Sequence, residues 1–150
     1  MTPYSHTQAG IYSRTTFGAL FVLVLAVAFY LGPGDSKAAW IFGGMAAFML
    51  LGLLLFHSLT VEVLRGNLRI RFGIGLIRRQ FRVKDIESAE VVRNRWWYGW
   101  GIKLTPYGWL FSVSGLDAVQ VKLRNGRQYR IGSDEPDALA AAINSAMPRR

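Results

Sequence analysis

The chain has 150 residues, of which 51% are hydrophobic, and a formal net charge of +9 at pH 7. It contains no cysteine, which excludes disulfide bonds and thiolate zinc sites. Sixteen of the eighteen Lys and Arg lie from His57 onward, so an apolar first part is followed by a basic remainder.

Two uncharged apolar runs follow each other near the N-terminus. The first covers residues 17–31 and extends to 15–32, and the second covers 38–59. About 20 apolar residues in a helix cross a bilayer core of roughly 30 Å. The second run has that length and the first nearly so. The pattern predicts a tail over 1–14, a membrane hairpin over 15–59 with spans 15–32 and 38–59, and a soluble domain over 60–150.

The first run also resembles the apolar part of a signal peptide, and three features oppose cleavage. Arg14 is the one strong positive charge before it, whereas a signal peptide begins with a basic region. No small-residue cleavage site follows, because residues 32–35 read as a turn. A second apolar run then begins within seven residues. We therefore expect the first run to be retained as a span.

The distribution of Lys and Arg predicts the orientation. Residues 57–150 hold 16 basic and 8 acidic side chains, a net charge of +8. The link between the runs holds only Lys37 and Asp35. Because positive segments stay in the cytoplasm, both termini are expected there, with a short external turn.

After the second run, short strand-like segments are separated by tight turns. Residues 68, 70 and 72 are apolar and alternate with Arg69 and Arg71, the period of a strand with one solvated face. Asn125-Gly126 is the strongest hairpin signal, because both residues tolerate positive φ. The predicted strands cover residues 60–64, 68–72, 76–83, 86–93, 101–105, 109–113, 118–123 and 128–131.

The period changes after residue 132. Ser133, Asp134, Glu135 and Pro136 are typical of a helix N-terminus. Apolar Leu139, Ile143 and Met147 follow at a spacing of four, which predicts an amphipathic helix that packs against the open end of a small sheet structure.

Several short motifs accompany this order of elements: Tyr-Gly-Trp-Gly-Ile at 98–102, Thr-Pro-Tyr-Gly-Trp-Leu at 105–110, Val-Ser-Gly at 113–115 and Ile-Gly-Ser-Asp-Glu-Pro at 131–136. With the hairpin, the chain resembles small bacterial membrane proteins that carry two transmembrane helices and a pleckstrin-homology-like (PH-like) domain. The resemblance implies a membrane α-helical hairpin plus an α+β soluble domain, a seven-stranded antiparallel β-sandwich or barrel capped by a C-terminal helix. It does not imply phosphoinositide binding, because the loop at 65–67 is too short to enclose an inositol phosphate.

The sequence predicts no catalytic or metal-binding residues and no cofactor. His6 and His57 have no neighbouring residues that suggest a metal site or a catalytic triad. His57 is expected to end the second span at the membrane interface. The segments 73–75 and 99–101 lack the third glycine of a dinucleotide fingerprint.

Basic residues concentrate between residues 65 and 84. The candidate lipid-binding residues are Arg69, Arg71, Arg78, Arg79 and Arg82. They form either a solvated strand face or a surface for anionic lipid headgroups, since the domain begins directly after the second span. Nucleic acid is not expected as a partner, because no known nucleic-acid-binding pattern accompanies the basic residues.

A second candidate surface is the segment from Arg93 to Trp100. Its interface candidates are Arg93, Arg95, Trp96 and Tyr98, because aromatic and basic side chains favour both bilayer interfaces and protein interfaces. Strand alternation predicts exposed Trp96 and Tyr98, with Trp97 and Trp100 at least partly buried. Packing in the core, contact with the membrane and contact with a protein remain alternatives for this cluster.

Glycines in the apolar runs, among them Gly18, Gly43, Gly44 and Gly52, predict close helix packing within the hairpin or in a homo-oligomer. These patterns together indicate a non-catalytic adaptor in the bacterial inner membrane, multi-pass, with its domain at the cytoplasmic surface and a protein partner. The alternatives are a module that binds or senses anionic membrane lipids, and an accessory subunit of a membrane enzyme or transporter.

Overall fold

The computed structural model describes residues 3–31 and 34–148. Within these residues, three α-helices and nine strands follow one another. In order they are β1 (Tyr4–Ala9), α1 (Ile11–Leu31), α2 (Ser36–Phe56), β2 (Ser58–Leu64), β3 (Asn67–Phe72), β4 (Ile77–Arg82), β5 (Ile86–Arg93), β6 (Gly101–Thr105), β7 (Gly108–Ser112), β8 (Asp117–Leu123), β9 (Gln128–Gly132) and α3 (Pro136–Ala146).

The helices α1 and α2 form the predicted hairpin, and both are long and apolar enough to cross a membrane. They pack along each other where Gly52 leaves room for the ring of Phe17; a Cβ at Gly52 would lie 2.5 Å from that ring. A Cβ at Gly18, Gly43 or Gly44 would meet no atom within 4 Å. Of these four glycines, only Gly52 therefore provides the predicted close helix contact.

The helix boundaries differ from the apolar runs. The helix α1 begins at Ile11, before the predicted 15, because polar residues of its first turn lie against the domain: the Ser13 hydroxyl donates to the Val113 carbonyl at 2.9 Å. Asp35 caps α2 by accepting from the Lys37 backbone N–H at 2.9 Å. The helix ends at Phe56, because Ser58 and Leu59 already belong to β2. Of the predicted turn at 32–35, residues 32 and 33 lie outside the described residues.

The strands form two open sheets with the core between them. One sheet has the order β1-β2-β3-β4 and the other the order β5-β8-β9-β7-β6. All neighbouring strands are antiparallel except β7 and β9, which are parallel. The layout confirms an α+β domain with a C-terminal helix. It corrects the implied seven antiparallel strands to nine, and the described strands form no closed barrel.

The strand β1 is the element that the sequence did not indicate. Residues 1–14 were expected to form a tail, whereas Tyr4–Ala9 pair with β2 along their whole length, from Tyr4 opposite Val63 to Ala9 opposite Ser58. Because most side chains of β1 are polar, the hydropathy pattern does not indicate a strand there. Two strands that are neighbours in one sheet are thus connected through the entire helical hairpin.

The amphipathic helix α3 forms as predicted and closes the core. Leu139 and Ile143 are fully buried, and Ala146 lies beside them. The helix packs on β5, β8 and β2. The inner faces of both sheets supply the rest of the core, including Leu68, Ile70 and Phe72 from β3 and Val119 and Val121 from β8.

Candidate functional site

The helical hairpin joins the domain through a hydrogen-bonded base. The Gly10 backbone N–H donates to the His57 carbonyl at 2.8 Å, and the Arg14 Nε donates to the same carbonyl at 3.0 Å. His57 is the C-cap residue that follows α2, and its Nδ1 lies 3.0 Å from the Leu54 carbonyl. The start of α1 and the end of α2 are therefore held together against the sheets.

The turn between β3 and β4 also rests on this base. The Gly73 N–H donates to the Ser58 carbonyl at 2.8 Å. Gly73 has φ +44, and a side chain there would collide with the backbone carbonyls of Leu54 and Leu55. The next apolar residues, Ile74 and Leu76, are 58% and 68% exposed. An exposed apolar turn thus lies at the level of the last turn of α2.

Arginines cover the outer face of the four-stranded sheet next to this turn. The register places Arg71 opposite both Thr60 and Arg78, and Arg69 opposite Glu62 and Gln80. The side chains line an open groove of about 450 Å³. We call Arg69, Arg71 and Arg78 the basic face.

The basic face has no neutralising carboxylate among the described residues. No acidic side chain lies within 4.0 Å of its three arginines, and Glu62 forms no ion pair although it is opposite Arg69. Arg71 and Arg78 are directly opposite each other, an arrangement of like charges that destabilises a sheet. An anion above this face would relieve that repulsion.

The other two candidate lipid-binding residues lie apart from the basic face. Arg79 is opposite Ile70, on the core side of the edge strand β4, although it also borders the groove. Arg82 is opposite Asn67 at the far end of the sheet. There it borders a second groove together with Arg65 and Lys84. The five candidates are therefore not one cluster.

The aromatic segment departs from the predicted alternation because Trp96–Tyr98 form a 3₁₀ turn instead of a strand. Trp96 is 74% exposed, as expected, but Trp97 is 56% exposed, so its predicted burial is wrong. Tyr98 is half-buried, whereas the alternation predicted that it would be exposed. Arg95 lies 5.0 Å from the centre of the Trp97 ring, and Arg93 is exposed at the end of β5.

Trp100 anchors this segment to the base, in agreement with its predicted partial burial. Its ring stacks on Tyr12 of α1, with centroids 4.6 Å apart and planes 5° apart. Its Nε1 donates to the Gly115 carbonyl at 3.0 Å. The exposed tryptophans are therefore tethered near the point where α1 leaves the domain.

A buried arginine holds the other side of the segment. Arg130 is 6% exposed; its Nη1 donates to Asn94 at 3.1 Å, and its Nε and Nη2 donate to Gln120 at 3.1 and 3.0 Å. Its guanidinium carbon lies 4.0 Å from the Tyr107 ring centre. Burial lowers the pKa of Arg130, while Tyr98 and Tyr107 oppose that shift. Strand alternation gave no sign of this cluster, whose members are distant in sequence.

His6 has partners that were invisible in the sequence. Its Nε2 lies 2.7 Å from Asp134 and its Nδ1 lies 3.4 Å from Glu135. These contacts connect β1 to the segment that leads into α3. We interpret these contacts as structural, because they link elements near the two ends of the chain.

The different anchoring of Trp97 and Trp100 predicts that their replacement changes the free energy of unfolding by different amounts. Trp100→Ala should lower the free energy of unfolding by about 2 kcal/mol or more, because it removes a stacked ring and a hydrogen bond. Trp97→Ala should change it by less than about 0.5 kcal/mol, as is usual for an exposed residue. Thermal unfolding of the full-length protein in detergent measures both. Equal destabilisation by the two changes would contradict the observed difference in anchoring.

A comparison with protein-family models found no match for this chain, and a comparison with curated proteins found none either. The basic face, the apolar turn and the aromatic segment all begin at the base where the helices meet the domain.

Proposed function

We propose that this chain is a bacterial inner-membrane protein that holds a non-catalytic PH-like domain against the cytoplasmic leaflet, where its basic face binds anionic lipid headgroups by charge. The observation that supports it most is the contact of the β3–β4 turn with α2. With the hairpin in a membrane, that contact would hold the arginines next to the turn close to the leaflet.

The length of α2 sets the depth of this turn. Its 21 residues rise about 1.5 Å each, which matches a hydrocarbon core of roughly 30 Å. Leu54 and Leu55 then lie at the edge of that core, and Gly73 lies against their carbonyls. Exposed Ile74 and Leu76 would meet the interface at this level, which suits apolar side chains.

The direction of the strands determines how far each arginine lies from the turn at Gly73. The strand β3 returns toward the base and β4 leaves it, so Arg71 lies about 7 Å along the strand from Gly73, and Arg69 about 13 Å. A headgroup charge acts over a Debye length of about 8 Å at physiological salt. Arg71 and Arg78 are therefore within reach of the leaflet, whereas Arg82 lies at the opposite end of the sheet.

Each Arg near an anionic leaflet contributes about 1 kcal/mol. Such binding depends on charge and does not select one headgroup. The turn between β2 and β3 supports this restriction, because only Arg65 and Gly66 separate Leu64 from its register partner Asn67. A loop of two residues provides no enclosure for an inositol phosphate.

A single-cysteine probe tests the basic face in the full-length protein. The chain has no native cysteine, so Gln80→Cys, opposite Arg69, accepts one fluorophore. In nanodiscs, spin-labelled phosphatidylglycerol should quench this fluorophore more than spin-labelled phosphatidylcholine does. High salt should remove the difference, because the attraction is electrostatic.

Two triple variants with equal loss of charge sharpen that test. Replacing Arg69, Arg71 and Arg78 by Gln should abolish the difference between the two lipids. Replacing Arg65, Arg82 and Lys84 by Gln should leave most of it. Equal quenching by both lipids at low salt in the unmodified chain, or equal losses in the two variants, would contradict headgroup binding by the basic face.

The proposed orientation places both termini in the cytoplasm. Both helices meet the domain at one base, and the net charge of +8 after residue 57 favours that side as cytoplasmic. A reporter that is active only outside the cytoplasm, fused after Arg150, should be silent, while the same reporter inserted after Asp35 should be active. The reverse pattern would overturn the cytoplasmic assignment.

A second candidate function, the adaptor role, is favoured by an apolar pair far from the base. Leu104 and Trp109 are register partners, are 71% and 46% exposed, and lie on the edge strand β6 and its neighbour β7. Tryptophan in such a position is typical of protein-binding hot spots. The partner would be a membrane or cytoplasmic protein, including an enzyme or transporter that this chain assists.

Photo-crosslinking in cells tests the adaptor role. A photoreactive residue at Leu104 should yield a discrete protein adduct, and Trp109→Ser should weaken that adduct. The same residue at Arg127, in the exposed loop between β8 and β9, is the matched control and should yield none. Absence of any protein adduct at Leu104 would count against the adaptor role.

A further inference from the structure

A pocket of about 510 Å³ lies on the base, on the side of the aromatic segment. The first turns of α1, the last residue of α2 and the start of β6 surround it. Its lining residues include Tyr12, Thr16, Phe17, Phe56, Trp100 and Lys103. We call it the junction pocket.

The walls of the junction pocket are mainly aromatic. The stacked rings of Tyr12 and Trp100 form one wall, and the rings of Phe17 and Phe56, with centroids 6.4 Å apart, form another. Few polar groups are free to bind a ligand, because the Ser13 hydroxyl is already bonded to the Val113 carbonyl. The pocket therefore suits a ligand with a large apolar part.

One cation lies at the edge of these walls. The Lys103 ammonium passes close over Gly99, where a Cβ would lie 2.8 Å from Nζ. Within the described residues no carboxylate lies within 4.0 Å of Lys103, and no acidic side chain lines the pocket. Thr16 also lines the pocket. A single anionic group at the head of an apolar ligand would match this arrangement.

Exposed apolar residues of α1 follow the pocket along the helix. Leu20 and Leu23 follow Thr16 at spacings of four and three, so they lie on the same side of the helix. They are 41% and 57% exposed. An acyl chain that leaves the pocket would thus run down this apolar track into the bilayer core.

We propose that the junction pocket binds one anionic glycerophospholipid from the adjoining leaflet, with its phosphate at Lys103 and an acyl chain between the aromatic walls and the Leu20–Leu23 track. This site is separate from the basic face and requires a pocket instead of a charged surface. It shares with the proposed function only the location of the hairpin in a membrane.

Native mass spectrometry of the full-length protein in detergent tests this site. Phosphatidylglycerol should be retained as one tightly bound molecule, and phosphatidylcholine should bind more weakly. Lys103→Gln should weaken phosphatidylglycerol binding about fivefold, the effect of one Lys contact with an anionic headgroup, and weaken phosphatidylcholine binding less, because the choline cation already offsets the phosphate charge of that lipid. Lys122→Gln, which removes a charge paired with Glu87 outside the pocket, should have no effect.

A second variant blocks the pocket without removing the charge of Lys103. Thr16→Trp places a bulky ring on an exposed helix position at the rim, retains Lys103 and should displace the bound lipid. Equal affinity for the two lipids in the unmodified chain, or no effect of either Lys103→Gln or Thr16→Trp, would overturn the site. A dimer that forms without lipid and is broken by Thr16→Trp would assign the pocket to a second copy and also overturn it.

The two lipid proposals fail independently. Replacing Arg69, Arg71 and Arg78 by Gln should leave the single retained lipid in place. Lys103→Gln should leave the quenching difference at position 80 in nanodiscs. Loss of both signals in either variant would show that the junction pocket is not a separate site.

Discussion

The pairing of β1 with β2 is the constraint on which the rest of the structure depends. These strands are neighbours in one sheet, yet the whole helical hairpin connects them, and Ala9 is opposite Ser58 at the end next to the hairpin. Backbone hydrogen bonding of the strands therefore brings the start of α1 and the end of α2 together. The single carbonyl of His57 accepts from both Gly10 and Arg14 and completes this closure. The domain cannot be cut away from the hairpin without losing an edge strand.

Closure at the base sets how the surfaces of the domain are oriented relative to the hairpin. The turn at Gly73 is seated on the carbonyls of α2, so the strands on either side bring Arg71 and Arg78 close to the helix ends. Stacking of Trp100 on Tyr12 brings the exposed tryptophans to the same end. Two surfaces that suit an interface, one basic and one aromatic, thus flank the hairpin. The apolar pair Leu104 and Trp109 is left at the opposite end of β6 and β7.

Buried polar contacts explain why the aromatic segment can be exposed and still be ordered. Arg130 is held by neutral amide oxygens and an aromatic face instead of a carboxylate. Burying the Arg130 guanidinium without hydrogen-bond acceptors would destabilise the fold by several kcal/mol. Its contacts therefore favour one arrangement of the covering loop. Asn94 belongs to that loop and receives one of the hydrogen bonds. Order in the loop therefore comes from Arg130 and Trp100, while Trp96 and Trp97 stay on the surface.

The sequence by itself determined the elements that a repeating pattern marks: two apolar helices, most strands, and α3 with Leu139 and Ile143 inward. Hydropathy reports burial or lipid contact, and alternation reports the faces of a strand, so both are local signals. Only the tertiary structure decided that polar Tyr4–Ala9 is a strand, that Trp97 is exposed, and that Arg79 and Arg82 lie apart from the basic face. These features depend on register, on a 3₁₀ turn and on contacts such as His6 with Asp134. Their partners are distant along the chain, and no local pattern encodes them.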